Sequence, residues 1–177
     1  QQDMESNGKT VNSDGEFISD YQTGPVIFGE AGTNGQHSFY QFLHQGSDIV
    51  ACDFIGIIQP DHTEQEHHNI LLSNMLAQGQ ALMEGRQDKE DTNKYFSGSK
   101  PCSTLLLEKL DAFHLGMLIA LYEHRVFVQG VIWNINSFDQ FGVELGKELS
   151  GKIENNDLQS ADSSTKGLFS LIHKVKK

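Results

Sequence analysis

The chain has 177 residues and a formal net charge of −11, a length that suits one domain with a real hydrophobic core. The acid excess argues against a nucleic-acid partner, because proteins that bind the phosphate backbone carry basic patches. The longest apolar stretch, residues 115–133, is interrupted by Glu123, His124 and Arg125, so the sequence predicts no membrane segment.

The first 36 residues are predicted to be mostly loop. Turn dipeptides such as Asn7-Gly8 and Asp14-Gly15 recur at high density here, leaving room for one short buried strand at Pro25–Gly29. The next segment, Gln36–Gln45, is predicted to be a helix because its aromatic and leucine side chains recur at three- and four-residue spacing.

Strands and helices alternate in the rest of the chain. Apolar, β-branched runs predict strands, and amphipathic spacing predicts helices. Val131–Ile135 is compatible with either a strand or an irregular segment. The predicted strands are Asp48–Ile58 and Ser103–Leu107, the predicted helices are His67–Gly85, Ala112–Gln129, Ser137–Lys152 and Thr165–Lys174, and a polar surface excursion covers Gly85–Lys100. This alternation predicts an α/β layer sandwich.

Histidines and acids crowd together ahead of the helix predicted from residue 67. His62 with Glu66, or Glu64 with His68, could share a helical face and hold zinc. No HExxH spacing is present, and acidic side chains at a helix start are stabilised by the helix dipole. A solvated helix start is therefore the favoured interpretation, and a metal site is the minor alternative.

A glycine-rich loop, Gly29–Gly35, leads into the helix predicted at residue 36. Backbone amides at such a junction can hold an anion or a developing oxyanion. The loop is neither GxGxxG nor a Walker motif, so nucleotide binding is weakly supported. His37 follows in the first turn, where a histidine is more often a surface residue than a functional one.

The segment from Ser137 to Lys147 combines polar spacing with glycines. Ser137 and Gln140 match a capping box, and Gln140 and Lys147 fall on one helical stripe about 10 Å long. Such a stripe usually faces solvent. Gly142 and Gly146 would each cost the helix about 1 kcal/mol relative to alanine, which favours close approach by another backbone or a ligand.

A lone carboxylate, Glu5, precedes the Asn7-Gly8 turn. An exposed carboxylate beside a turn usually has no special role. Residue spacing alone leaves Glu5, His37 and Lys147 as possible acid–base residues with no stated substrate.

Four segments together resemble one known family, the phosphoglucose isomerases. The match is specific, and Gly130–Lys147 satisfies the family's C-terminal signature at every fixed position. The segments are DMESNGK (Asp3–Lys9), QTGPVIFGEAGTNGQHSFYQ (Gln22–Gln41), LGMLIALYEHRVFVQGVIW (Leu115–Trp133) and FDQFGVELGK (Phe138–Lys147).

The resemblance implies an incomplete α/β fold. The family has two αβα sandwich domains of the sugar-isomerase (SIS) type and a helical C-terminal extension. This chain is similar to the last third, with residues 1–136 as the C-terminal part of the second domain and residues 137–177 as the helical tail. The phosphate-binding Ser/Thr-rich loop and the arginine that stabilises the enediolate lie upstream in the family, so we expect the isolated chain to be inactive. The start at Gln1 is expected to be a cut edge rather than a signal peptide.

The resemblance also implies residue roles. Glu5 resembles the general base that moves a proton between C2 and C1, and His37 and Lys147 resemble the pair that opens the sugar ring. The histidine comes from the neighbouring subunit in the family, which implies a homodimer with shared active sites. Gln140 resembles a substrate-binding glutamine, and Gln2 a second one, although this chain has one residue fewer before Asp3.

The implied activity is the metal- and cofactor-independent interconversion of glucose 6-phosphate and fructose 6-phosphate, in glycolysis and gluconeogenesis. Two cysteines in apolar stretches are typical of reduced thiols and predict a cytoplasmic location. Two other interpretations stay open: a non-catalytic sugar-phosphate-binding regulatory module with the same type of domain, and a structural interaction fragment without activity.

Overall fold

The computed structural model describes residues 1–175, so the last two residues of the predicted helical tail lie outside the described part. The chain forms two compact units. The terminal unit comprises residues 1–25 and the chain from Val126 onward, and the central unit comprises residues 26–125. The domain boundary expected between residues 136 and 137 stays a prediction.

The described helices are α1 Gln2–Asn7, α2 Gly32–Gly35, α3 Tyr40–Gln45, α4 Gln65–Glu84, α5 Ala112–Ile132, α6 Phe141–Glu154 and α7 Ser163–Val175. The strands are β1 Cys52–Ile57 and β2 Cys102–Leu107, and a 3₁₀ turn covers Thr92–Lys94.

The central unit contains a parallel strand pair. β1 and β2 align so that Cys52 lies opposite Cys102 and Ile57 lies opposite Leu107. Both strands are mostly apolar, as is typical of parallel strands, although β1 contains Asp53 and β2 contains Ser103 and Thr104. The connection between them carries α4, which packs against both strands. This βαβ arrangement confirms the predicted α/β class.

The core of the central unit lies where α4 and α3 meet the strands. Leu43, Phe54 and Leu82 form its buried cluster, and Leu82 is only 1% exposed. Burying a side chain of this size stabilises a fold by about 1.5–3 kcal/mol. The cluster therefore fixes α4 on β1. Its two leucines belong to predicted helices, and Phe54 belongs to a predicted strand.

The start of the chain differs from its prediction. Pro25–Gly29 forms no regular structure, so the predicted buried strand is wrong. The helix predicted from Gln36 begins at Tyr40, after a run of turns. Conversely, α1 forms where only loop was predicted. A six-residue helix has no local stability of its own, so its stability must come from contacts elsewhere in the fold.

The predicted helix start at Ser137 is also wrong, because α6 begins at Phe141. Phe138 has φ of +72° and Asn134 has φ of +53°, and neither value is compatible with a right-handed helix or a strand. The segment 131–135 is correspondingly not a strand: α5 runs to Ile132 and irregular backbone follows.

One described helix, α5, is long and apolar enough to cross a membrane, judged by length and composition alone. This is weak evidence, because core helices of soluble proteins pass the same test. Arg125 within α5 donates to Asp53 Oδ2 at 2.6 Å, and the Tyr122 hydroxyl donates to the same oxygen at 3.1 Å. These polar contacts tie the helix to β1 of the central unit.

Candidate active site

A cleft of about 560 Å³ lies in the terminal unit. Its walls come from α1 with the loop after it, and from the segment that leads into α6. Glu5 and Lys9 line one side, and Asp139 and Gln140 line the other. The cleft thus brings together two segments that lie far apart in sequence, DMESNGK and FDQFGVELGK.

Glu5 is held on α1 with its side chain half-buried. Gln1 Nε2 donates to Glu5 Oε2 at 3.1 Å, so an amide already orients the carboxylate. No motif in the sequence had pointed to Gln1. Gln2, the glutamine that the family resemblance indicated, is the exposed first residue of α1 and does not line the cleft. The proposed role of Gln2 stays a prediction.

A fully buried side chain, Asn7, anchors the helix that carries Glu5. Its Nδ2 donates to the Val126 carbonyl at 3.0 Å, and the Ser137 hydroxyl donates to its Oδ1 at 2.6 Å. A Cβ on Gly130 would collide with Ser137 Oγ, so only glycine leaves room for this contact. The Ser137 hydroxyl therefore bonds to Asn7 and does not cap a helix, so the predicted capping box of Ser137 and Gln140 is wrong.

Gln140 lies directly before α6, and Lys147 lies within it. Gln140 precedes the first helical residue, is exposed, and lines the cleft. Lys147 lies seven residues further along α6 and is exposed, outside the lining of the cleft. Apart from the flanking residues and the backbone of α6 itself, no atom of residues 1–175 comes within 4 Å of a Cβ built on Gly142 or Gly146, so the expected close approach by another backbone is not seen there. The alternative, close approach by a ligand, stays a prediction.

His37 belongs to the central unit. It is exposed in the turn between α2 and α3, and its backbone amide donates to the Asn34 carbonyl at 3.0 Å. The glycine-rich loop before it lines a mostly apolar cavity of about 820 Å³ together with β1 and α4, but His37 does not. Its predicted part in ring opening is therefore argued from its motif alone.

The acidic and histidine-rich segment ahead of α4 assembles no metal cluster within residues 1–175, where no three His, Cys, Asp or Glu side chains gather. Glu64 and Glu66 are exposed, as a solvated helix start requires. His68 is buried instead, with its Nε2 at 2.8 Å from the Ile57 carbonyl. That contact ties the first turn of α4 to the end of β1.

Comparison with known proteins identifies the family to which this chain belongs. Residues 1–169 match the family model for phosphoglucose isomerase. The chain belongs to the phosphoglucose isomerase family. Because the match covers nearly the whole chain, it includes both segments that form the cleft.

Curated relatives carry the corresponding enzyme name. Glucose-6-phosphate isomerase 1 of Chromohalobacter salexigens is 52% identical over 176 residues, which cover 97% of this chain and 32% of the relative. Glucose-6-phosphate isomerase of Methylococcus capsulatus is 51% identical over 192 aligned residues, covering 96% of this chain and 35% of the relative. The chain thus spans about a third of the length of these phosphoglucose isomerases, and it corresponds to their C-terminal portion.

Solved structures agree on the fold. A crystal structure of a glucose-6-phosphate isomerase from Chlamydia trachomatis superposes with a TM-score of 0.81 at 40% identity, covering 98% of this chain and 34% of that one. A hypothetical protein from Thermus thermophilus, at 22% identity and a TM-score of 0.59 over 85% of this chain and 36% of that one, shares the fold alone. The α/β fold of a sugar-isomerase fragment, expected from the resemblance, is confirmed.

Proposed function

We propose that this chain is part of an enzyme that interconverts glucose 6-phosphate and fructose 6-phosphate, a step of glycolysis and gluconeogenesis. One observation carries the proposal: Glu5 and Gln140, from two separate family motifs, line the same cleft. The names of the relatives support it, since both curated relatives are glucose-6-phosphate isomerases.

The proposed chemistry needs one base that reaches two adjacent carbons. Glu5 takes the proton from C2 of the open-chain aldose, the C–H electron pair forms the C1–C2 double bond, and the C1 carbonyl oxygen takes up a proton. The resulting cis-enediol collapses the other way: the O2 hydroxyl loses a proton, which balances the one taken up at O1, C2 becomes the carbonyl carbon, and Glu5 returns its proton to C1. A positioned base of this kind contributes about 10²–10⁴-fold to the rate.

The remaining roles follow the family motifs. Gln140 and Gln2 bind the substrate, and Lys147 with His37 opens the sugar ring. In the proposed homodimer His37 acts in the neighbouring subunit's site, so that each site needs two copies. We assign no metal ion or organic cofactor to the reaction. An upstream arginine stabilises the enediolate, and the enzyme is cytoplasmic.

The test joins this chain to the upstream two thirds of the C. salexigens relative in place of its own C-terminal third. The unsubstituted chimera is expected to convert fructose 6-phosphate to glucose 6-phosphate, measured with a coupled dehydrogenase. Glu5→Gln removes the base and keeps the shape, so turnover should fall at least 100-fold while binding of a sugar phosphate persists. Glu154→Gln, an exposed change at the end of α6, is the matched control and should leave turnover unchanged.

The alternatives predict different outcomes of the same assay. A regulatory module would bind the sugar phosphate without turnover in the unsubstituted chimera, and an interaction fragment would do neither. A Glu5→Gln variant that keeps most of its turnover would contradict the base assignment.

A further inference from the structure

The ammonium group of Lys9 makes several polar contacts beside the cleft. Its Nζ donates to the Ser6 carbonyl at 2.6 Å, to the Asp139 carbonyl at 2.8 Å and, more weakly, to the Glu5 carbonyl at 3.4 Å. The Asp139 carboxylate lies 3.0 Å away, which makes a part-buried ion pair with side chains 16% and 36% exposed. A buried ammonium is stable only when its donors and charge are matched in this way.

These contacts span the two walls of the cleft. The carbonyls of Glu5 and Ser6 belong to the last turn of α1, where carbonyl oxygens lack partners within the helix. Asp139 is the residue directly before Gln140. A single side chain therefore joins the backbone of Glu5 to the backbone beside Gln140.

The loop around Lys9 is itself fixed. The Lys9 amide donates to the Asn7 carbonyl at 2.8 Å, and the Thr23 hydroxyl donates to the Lys9 carbonyl. The backbone of Lys9 is thus held on both sides, and its side chain has little freedom to follow a shift of α1. Losing the ammonium would remove the link between α1 and Asp139 and leave the Asn7 anchor in place.

We propose that Lys9, held by Asp139, is a positioning residue that sets the distance between the Glu5 carboxylate and the substrate bound at Gln140. The proposal rests on the proposed isomerase function and deepens it. Lys9 acts through the backbone of α1 rather than on the sugar. A misplacement of about 1 Å in such a site can cost about 100-fold in rate.

The test uses Lys9→Met in the chimera described above, with glucose 6-phosphate that is protonated or deuterated at C2. We expect kcat to fall 10- to 100-fold and KM to change less than threefold, with a larger deuterium isotope effect on kcat because proton transfer becomes slower than the other steps. Lys9→Arg keeps the charge and donors and should recover most of the lost kcat. Lys152→Met is the matched control, since it removes an exposed ion pair of 2.7 Å to Glu148 and should change none of these values.

Asp139→Asn keeps the carbonyl that Lys9 bonds and removes only the carboxylate charge, so it serves if Lys9→Met does not fold. It should lower kcat three- to tenfold with the same rise in the isotope effect. A purely structural role would instead lower the melting temperature and leave kcat per folded molecule and the isotope effect unchanged.

The outcomes separate the two proposals. If Glu5→Gln abolishes turnover while Lys9→Met and Asp139→Asn both match Lys152→Met in kcat and isotope effect, the positioning role is wrong and the isomerase function stands. If Glu5→Gln turns over like the unsubstituted chimera, the base assignment is wrong and the positioning role is overturned with it.

Discussion

Replacing Asn7 with alanine tests the anchor of α1 most directly. The side chain is fully buried and makes three hydrogen bonds to residues more than a hundred positions away, of which the one to Gln129 is long at 3.5 Å and those to Val126 and Ser137 are the short ones. Each such bond contributes about 1 kcal/mol net, and a buried partner left unpaired costs about 1–3 kcal/mol. Losing the donor to Val126 and the acceptor of Ser137 should therefore destabilise α1 locally by about 2–4 kcal/mol.

Native-state hydrogen exchange measures this loss where it occurs. In the chimera, the Gly8 amide, which donates to the Met4 carbonyl at 3.1 Å, should lose about 30- to 1000-fold of its protection in Asn7→Ala, since about 1.4 kcal/mol is tenfold. Because Ser137 shares the same bond, Ser137→Ala and Asn7→Ala should be non-additive by about 1 kcal/mol. Asn69→Ala, an exposed change on α4, is the control. If the Gly8 amide is protected equally in Asn7→Ala and in the control Asn69→Ala, the Asn7 side chain does not anchor α1.

Three further substitutions test other parts of the chain. His37→Ala should slow turnover of ring-closed glucose 6-phosphate by about 10²–10⁴-fold and spare an open-chain analogue, and equal losses on both would reject ring opening. The His114 amide and then the His114 ring, by hydrogen bonding, hold the pKa of Asp111 well below its ordinary value. A carboxyl with a lowered pKa stabilises the fold above its unfolded pKa of about 4 and loses that effect as pH falls, so Asp111→Asn should weaken protection of the His114 amide at pH 7 and make no difference in strong acid. A difference in His114 amide protection that persists in strong acid would contradict this prediction. Gly24→Ala puts a Cβ 2.7 Å from backbone atoms at φ of +57° and should destabilise by more than about 1 kcal/mol in urea unfolding, whereas Gly151→Ala, with open space, should not.

The sequence predicted the elements whose signal is local. The long apolar periodicity of α4 and α5 and the β-branched run of β1 placed these elements, with most ends within a few residues. The same rules failed for α1, because six residues rich in polar side chains carry no helical period. They also failed for the start of α6, where Phe138 has a positive φ that its residue type does not favour.

Only some residues of the candidate site could be predicted from the sequence. Glu5 and Gln140 could be found from family motifs, and the structure places both on one cleft. The contributions of Asn7 and Lys9 could not, because each depends on partners 119 to 130 residues away. His37 and Lys147 do not line the cleft, and their roles stay predictions.

The dependence of α1 on distant partners has a consequence during synthesis. Glu5 leaves the ribosome before the atoms that fix its helix, because those atoms belong to Val126, Ser137 and Asp139. At about 5–20 residues per second, the carboxylate waits on the order of ten seconds before those atoms are translated. A nascent chain stalled before residue 126 would already contain every residue of the central unit, but its Glu5 would still lie on an unformed helix.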